Sequence, residues 1–291
     1  MTDSPRPVPP ETIERMSAAQ IDALLAELDP RVSSESALAH IQPPGANGLA
    51  VIGDTHGDWR SAQMALAWFL ESPRERAFVG LGDYIDRAPS DLPAGSAVNA
   101  LYLLSVKASY PDRVFLLQGN HEAARRIPVG PHSLPEEMEG RWGGDRRRYS
   151  RLMGLLERGP LAGYTTNGLF LAHGGFPSRL TSPWTDRFRT VDETLLVEVL
   201  WRDIAESHLD RGLSTPFDES ALNAFLSASG LHVFLRGHDP NVVGQSLYHD
   251  HCLTLHTSRP HRKYGGILTV RAPLQQPVLT TRDLQVVDLS R

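Results

Sequence analysis

The sequence predicts an α/β fold in which two mixed β-sheets are sandwiched between helices. Three observations carry this expectation. Five short apolar runs, Leu49-Ala50-Val51-Ile52, Ala77-Phe78-Val79-Gly80-Leu81, Arg113-Val114-Phe115-Leu116-Leu117, Leu169-Phe170-Leu171-Ala172 and Val233-Phe234-Leu235-Arg236, have the length and composition of buried strands. Stretches of helical spacing separate the first three. The chain then closes on further short β-type runs.

Taken in order, residues 1 to about 10 are rich in proline and are expected to lack fixed structure. Between Glu11 and Leu28, the residues Ile13, Met16, Ile21, Leu24, Leu25 and Leu28 recur at helical spacing and predict a short amphipathic helix. With the polar lead from Ser33 to Asn47, this makes an N-terminal extension over residues 1–47, followed by one catalytic domain over residues 48–291. Asp58 or Ser61 can cap a helix carrying Ala62, Met64, Ala65, Leu66, Trp68, Phe69 and Leu70. A second helical pattern runs from Ser96 to Tyr110. These are βαβ crossovers, so the first three strands should be parallel neighbours. Arg125 to Arg148, with its prolines, glycines and Arg146-Arg147-Arg148 triplet, reads as a long surface loop passing into a helix near Tyr149 to Leu156. Helices are expected near Asp192 to Trp201 and Asp218 to Ala228. Gly266 to Val270 and a pair around Pro277 to Leu289 read as short strands suited to the second sheet.

Composition excludes several function classes. With 291 residues and 41% apolar content the chain can bury a substantial core. A net charge of −5 argues against nucleic-acid binding. No stretch of eighteen apolar residues and no apolar leader are present, so neither a membrane span nor export is expected. The single cysteine, Cys252, cannot form an internal disulfide, and a cytoplasmic location fits.

The chemistry lies where the apolar runs end. Gly53-Asp54-Thr55-His56-Gly57, Gly82-Asp83-Tyr84-Ile85-Asp86-Arg87 and Gly119-Asn120-His121-Glu122 follow the first three, while His173-Gly174-Gly175 and Gly237-His238 follow the other two. Glycine lets the chain turn sharply as it leaves a strand, and sites gather beyond the carboxyl ends of strands. Asp54 and His56, two apart in an extended turn, can face one cation. Asp83 is suited to bridge two cations, Asn120 offers a neutral carbonyl oxygen, and His173 and His238 supply imidazoles. This oxygen and nitrogen set without thiolate suits two divalent ions, manganese first, with iron, zinc or cobalt also fitting. Two such ions can acidify a water and clamp a phosphoryl group. His121, oriented by Asp86, is the expected general acid, and Arg87 is placed to grip phosphoryl oxygens. Each motif alone has an ordinary reading as turn former, helix cap, surface ion pair or core histidine. All five in order, at five strand ends, do not.

These motifs resemble the phosphoprotein phosphatase family of metal-dependent serine/threonine phosphatases, within the calcineurin-like metallophosphoesterases. The resemblance runs from about Leu49 to the C-terminus and implies the calcineurin-like fold. It also implies Asp54, His56 and Asp83 on one metal, and Asp83, Asn120, His173 and His238 on the other. Leu200-Trp201-Arg202-Asp203 and Asp210-Arg211-Gly212 are similar to two further family segments, which makes Arg211 a second phosphate-gripping arginine. Asn120 would also face the substrate. Two departures stand out: Ala88 replaces a usual glycine, and Ser258 to Gly266 is longer and more basic than the family's loop, leaving Tyr264 as the match to its active-site tyrosine.

The implied activity is hydrolysis of phosphoserine and phosphothreonine monoesters on phosphorylated proteins. It would proceed by direct attack of a metal-bridging hydroxide, with His121 and Asp86 as the acid dyad. The alternative is a small-molecule phosphoesterase such as a diadenosine tetraphosphatase. A catalytically dead scaffold is disfavoured because ligands, dyad and arginines are all present. Oligomeric state is not legible.

Overall fold

The chain opens with two helices where the spacing predicted one, Pro10–Arg15 (α1) and Ala18–Leu28 (α2). Ser17 divides them: its hydroxyl accepts the Gln20 N–H while the Gln20 side chain accepts the Ser17 N–H, so two otherwise orphaned donors are satisfied. The computed structural model describes residues 6–144, 146–207, 212–213 and 216–290, save the side chains of Arg262 and Tyr264. The first five residues of the proline-rich start therefore lie outside it. The rest of that start is anchored, with the Val8 N–H donating to Ser105 Oγ at 3.1 Å.

Leu38–His40 (β1) precedes a first sheet built from Gly48–Ile52 (β2), Arg76–Gly80 (β3) and Val114–Leu116 (β4). As expected from the crossovers, these three are parallel neighbours, with Ala50 beside Phe78 and Phe78 beside Val114. The connecting helices are Trp59–Glu71 (α3), capped by Asp58, and Gly95–Ser109 (α4). Next come Leu134–Trp142 (α5) and Arg146–Leu156 (α6). The segment expected as a long loop thus contains a helix, because Leu134, Met138 and Trp142 share one face and are buried. Pro135 sits in its first turn, where a missing N–H costs no internal hydrogen bond.

The second sheet holds β1 with Ala162–Tyr164 (β5), Leu169–Ala172 (β6), Val233–Arg236 (β7), Ser246–Leu247 (β8) and Cys252–Thr254 (β9), in the order β1-β5-β6-β7-β9-β8. Glu193–Leu200 (α7) and Glu219–Ser229 (α8) cover it. Leu268–Pro273 (β10) and Gln285–Asp288 (β11) correct one expectation. They extend the first sheet, not the second: β10 runs antiparallel to β2, with Val270 opposite Val51, and β11 runs antiparallel to β10. Local alternation cannot say which sheet a strand joins. Here Leu268, Val270 and Ala272 close the apolar layer that Leu49 and Val51 begin.

Strand alternation divides the interior into three cores. Leu49, Val51, Val79 and Leu117 meet Leu171, Leu235 and Leu253 between the sheets. Ala50, Ile52 and Phe78 face α1 to α6, while Phe170 and Phe234 face α7 and α8. Ile13, Ile21, Leu25 and Leu28 are buried in the first helical core, and β1 pairs with β5, so the N-terminal segment is built into the body. Among the described residues no helix is long and apolar enough to cross a membrane.

Leu25→Ala should lower unfolding free energy by about 2–5 kcal/mol in urea titrations, as for other buried leucines. Met64→Ala, at a half-exposed position on α3, should change it by less than about 0.5 kcal/mol.

Candidate metal centre

The expected residues converge from both sheets. Asp54, Asp83 and Asn120 follow β2, β3 and β4 of the first, and His173 and His238 follow β6 and β7 of the second. The approach is close enough to demand glycine at Gly82 and Gly119. A Cβ on Gly82, whose φ is +102°, would lie 2.3 Å from the Gly119 nitrogen, and one on Gly119 would lie 2.2 Å from Asp83 Oδ1. Non-glycine residues with positive φ also concentrate here: His56, Asp83, Asp86, Arg87 and His238 are five of the eight among the described residues. Such conformations cost about 1–3 kcal/mol each and persist only where the surroundings over-determine them.

Asp83 lies at the middle. Its ligand atoms fall within 4.8 Å of those of His56 and His121 on one side, and of His173 and His238 on the other. His56 Nδ1–H donates to the Ile85 carbonyl at 3.0 Å, turning Nε2 toward Asp83 Oδ2 at 3.6 Å and Asp54 Oδ2 at 3.9 Å. His173 Nδ1–H donates to the Leu81 carbonyl at 3.0 Å, which aims Nε2 at Asp83 Oδ1, 3.4 Å away. His238 Nδ1 lies 3.1 Å from His173 Nε2, and its Nε2 is 3.6 Å from Asp203 Oδ1. The His238 N–H also donates to Asp54 Oδ1 at 3.0 Å.

The donor chemistry fits a divalent cation. One end of the Asn120 amide lies 3.1 Å from both Asp83 carboxylate oxygens and 3.0 Å from His173 Nε2; without a cation its NH2 faces these acceptors, and a cation would take its carbonyl oxygen there instead. Burial pushes Asp54 up to about 6. Burial opposes a charge on His173 as well, but the Asp83 and Asp54 carboxylates outweigh it and raise the imidazole to about 9. Asp83 is buried too, yet His173 and His121 hold it well below the usual carboxylate range. These are the marks of positive charge drawn into a buried anionic pocket.

His121 is set apart from this cluster by its partner. Its Nδ1 is 2.6 Å from Asp86 Oδ2, and its Nε2, fully buried, has no hydrogen-bond partner. Burial disfavours the imidazolium, but Asp83 and the Asp86 hydrogen bond raise its pKa above the ordinary histidine value. Arg87 is exposed at the rim, with Nη1 3.5 Å from His56 Nε2 and Nη2 donating to the Gly130 carbonyl. Arg211 and the side chain of Tyr264 lie outside the described residues. His249, mostly exposed, pairs with Glu219, and His251 Nδ1–H donates to the His232 carbonyl, so both imidazoles have partners outside this cluster.

Four neighbours were not anticipated. His132 Nδ1 donates to Asp86 Oδ2 at 2.8 Å, while Asp86 Oδ1 accepts the Ser133 and Leu134 N–H groups at 2.7 and 2.9 Å. Burial opposes the charge, but the hydrogen bonds from His121 and His132 hold the Asp86 carboxyl well below its usual range. Glu122 accepts the backbone N–H groups of Asp83, Tyr84 and Gly119 at 2.7–2.9 Å, and burial pushes it to about 7. His261 packs against both His56 and His256. Of these four neighbours, Glu122 closes the third strand-end motif, though without a role legible there, and His256 carried a weaker signal. It ends the apolar run Cys252 to Leu255 as His173 ends its own, but without an adjacent glycine.

Comparison with known proteins places this geometry. The family pattern described as calcineurin-like phosphoesterase matches residues 49–242. A serine/threonine-protein phosphatase PP2A-like PPG1 from Saccharomyces cerevisiae is 27% identical over 282 residues, spanning 87% of this chain and 73% of that protein. Its Candida albicans counterpart is 26% identical over 86% of this chain, which spans only 58% of that relative. A solved protein serine/threonine phosphatase from Saccharomyces cerevisiae, described as similar to human phosphatase PP5, superposes with a TM-score of 0.71 at 21% identity, covering 94% of this chain and 89% of that one.

His173 must shed a proton before its Nε2 can ligate. Between pH 9 and 7, affinity for Mn2+ should therefore fall by about tenfold per pH unit, with about one proton released per protein on binding. Calorimetry in buffers of different ionisation enthalpy reads this directly. A release of zero would refute it.

Proposed function

The chain belongs to the calcineurin-like phosphoesterase family, and from that premise we propose that it is a metal-dependent serine/threonine protein phosphatase. The observation that carries the reading is the buried oxygen and nitrogen cluster around Asp83 lying directly beside the Asp86–His121 pair. The relatives named as serine/threonine-protein phosphatases support phosphoprotein as the substrate class.

Asp54, His56 and Asp83 would hold one divalent cation, and Asp83, Asn120, His173 and His238 the other. Two cations held there supply an acidified water and neutralise charge on the phosphoryl oxygens. Manganese is the first candidate, and iron, zinc and cobalt suit the same donors. The chain's own residues do the rest. The Ile85 and Leu81 carbonyls fix the His56 and His173 tautomers, so that each ring presents its Nε2 lone pair inward. Arg87 grips phosphoryl oxygens at the rim with its planar fork. Arg211 and Tyr264 take the corresponding substrate-side roles by resemblance alone.

Protonation of the departing serine or threonine oxygen falls to His121. Its Nε2 has no protein partner to compete for the proton, and Asp86 anchors the opposite nitrogen at 2.6 Å. As the P–O bond breaks, the Nε2 proton passes to the leaving oxygen, and Asp86 stabilises the imidazolium until that moment. Asp86 is itself kept ionised by His132 and the two N–H groups that begin α5. The single buried cysteine accords with a cytoplasmic location.

Protein stripped of metal and reloaded with Mn2+ should release phosphate from phosphoserine and phosphothreonine peptides. His121→Ala should lower kcat about 10²–10⁴-fold while cation binding persists. Absence of phosphopeptide turnover with manganese, iron, zinc and cobalt would refute the assignment. Faster hydrolysis of diadenosine tetraphosphate in the same panel would transfer it to a small-molecule substrate.

A further inference from the structure

His256 lies two residues beyond β9, is 1% exposed, and meets Asp54 in an isolated parallel bridge between the two sheets. Its Nε2 is 3.2 Å from Asp54 Oδ2, yet the two are not aligned as a hydrogen bond, and neither ring nitrogen has a partner. A fully buried imidazole with no hydrogen bond is a rare arrangement that calls for a physical cause. Close contact without alignment is how two ligands of one ion meet. Nitrogen and oxygen donors each about 2.1 Å from a shared cation lie about 3 Å apart and aim at the cation, not at each other.

The surroundings agree. The same Asp54 Oδ2 lies 3.9 Å from His56 Nε2, so one carboxylate oxygen is approached by two imidazole nitrogens. The His261 ring covers both, with its centroid 4.9 Å from that of His256 and 5.1 Å from that of His56.

We propose that His256 Nε2 is a seventh protein ligand of the centre, on the cation shared by Asp54, His56 and Asp83. This rests on the two-cation reading above and adds a donor that the family resemblance does not supply. That cation would then have two imidazoles and two carboxylates. A second imidazole shifts its preference from manganese toward zinc, cobalt or iron.

The test counts imidazoles without using activity. Full-length protein with 15N-labelled histidine is stripped and loaded with Co2+, and ring N–H signals displaced by contact with the ion are recorded by NMR. Four ligated histidines are expected, His56, His173, His238 and His256, and His256→Phe should remove one set and weaken one of two Co2+ binding steps by about tenfold or more. His256→Gln keeps an N–H able to reach Asp54 but has no imidazole, and should be weakened likewise. Matching thermal unfolding of the three metal-free proteins in chelator establishes that the variants fold. Three displaced imidazoles in the wild type, or wild-type affinity restored by Gln, would overturn the inference and leave the two-cation centre standing. Failure of the wild-type protein to bind Co2+ would overturn both.

Discussion

Burial of the Asp83 carboxylate is the constraint from which the rest of the centre follows. A charge in that position must be met by positive groups or hydrogen-bond donors on every side, since an unpaired buried charge is far too costly. His121 meets it with a backbone N–H, His173 with an imidazole, and Glu122 fixes its own N–H at 2.7 Å. The residue can occupy this place only with φ at +56° and with Gly82 and Gly119 letting two strand ends touch. One carboxylate therefore dictates backbone conformation, neighbouring residue types and the positions of two ligand groups.

Strain of this kind needs a rigid frame. The sandwich provides it: each sheet is packed on both faces, by the other sheet within and by helices outside. The strand ends carrying Asp54, Asp83 and Asn120 are held in one sheet and those carrying His173 and His238 in the other. Relative position of the two ligand halves thus depends on the apolar layer of Leu49, Val51, Leu171, Leu235 and their neighbours. Packing between sheets, distant in kind from metal chemistry, sets the geometry of the candidate ligand groups.

The Asp86–His121 pair depends on a different element. Asp86 Oδ1 receives the first N–H groups of the α5 turn, and its other oxygen is shared by His121 and His132. A helix N-terminus and two imidazoles keep this carboxylate anionic, and through it keep the His121 ring oriented. The helix hidden in an apparent surface loop is thereby tied to the chemistry.

Strand-end motifs were legible because strands, glycines and ligand residues are adjacent in sequence. Asp54, His56, Asp83, Asn120, His121, His173 and His238 all read out of local pattern, as did the parallel order of β2, β3 and β4. What depended on long-range contact did not. The existence of α5 rests on burial against α4 and α6, whereas the split of α1 from α2 follows the local Ser17–Gln20 capping box. The place of β10 and β11 beside β2 rests on which apolar layer they complete, and no run of residues encodes that locally. His132 carries no motif and His256 only the end of an apolar run without a glycine, and their partners Asp86 and Asp54 stand 46 and 202 residues away in the chain. By itself the sequence determined the candidate ligand types, their order and the strand ends that bear them. Only the tertiary structure decided which sheet faces which, because proximity between distant residues is a property of packing and not of pattern.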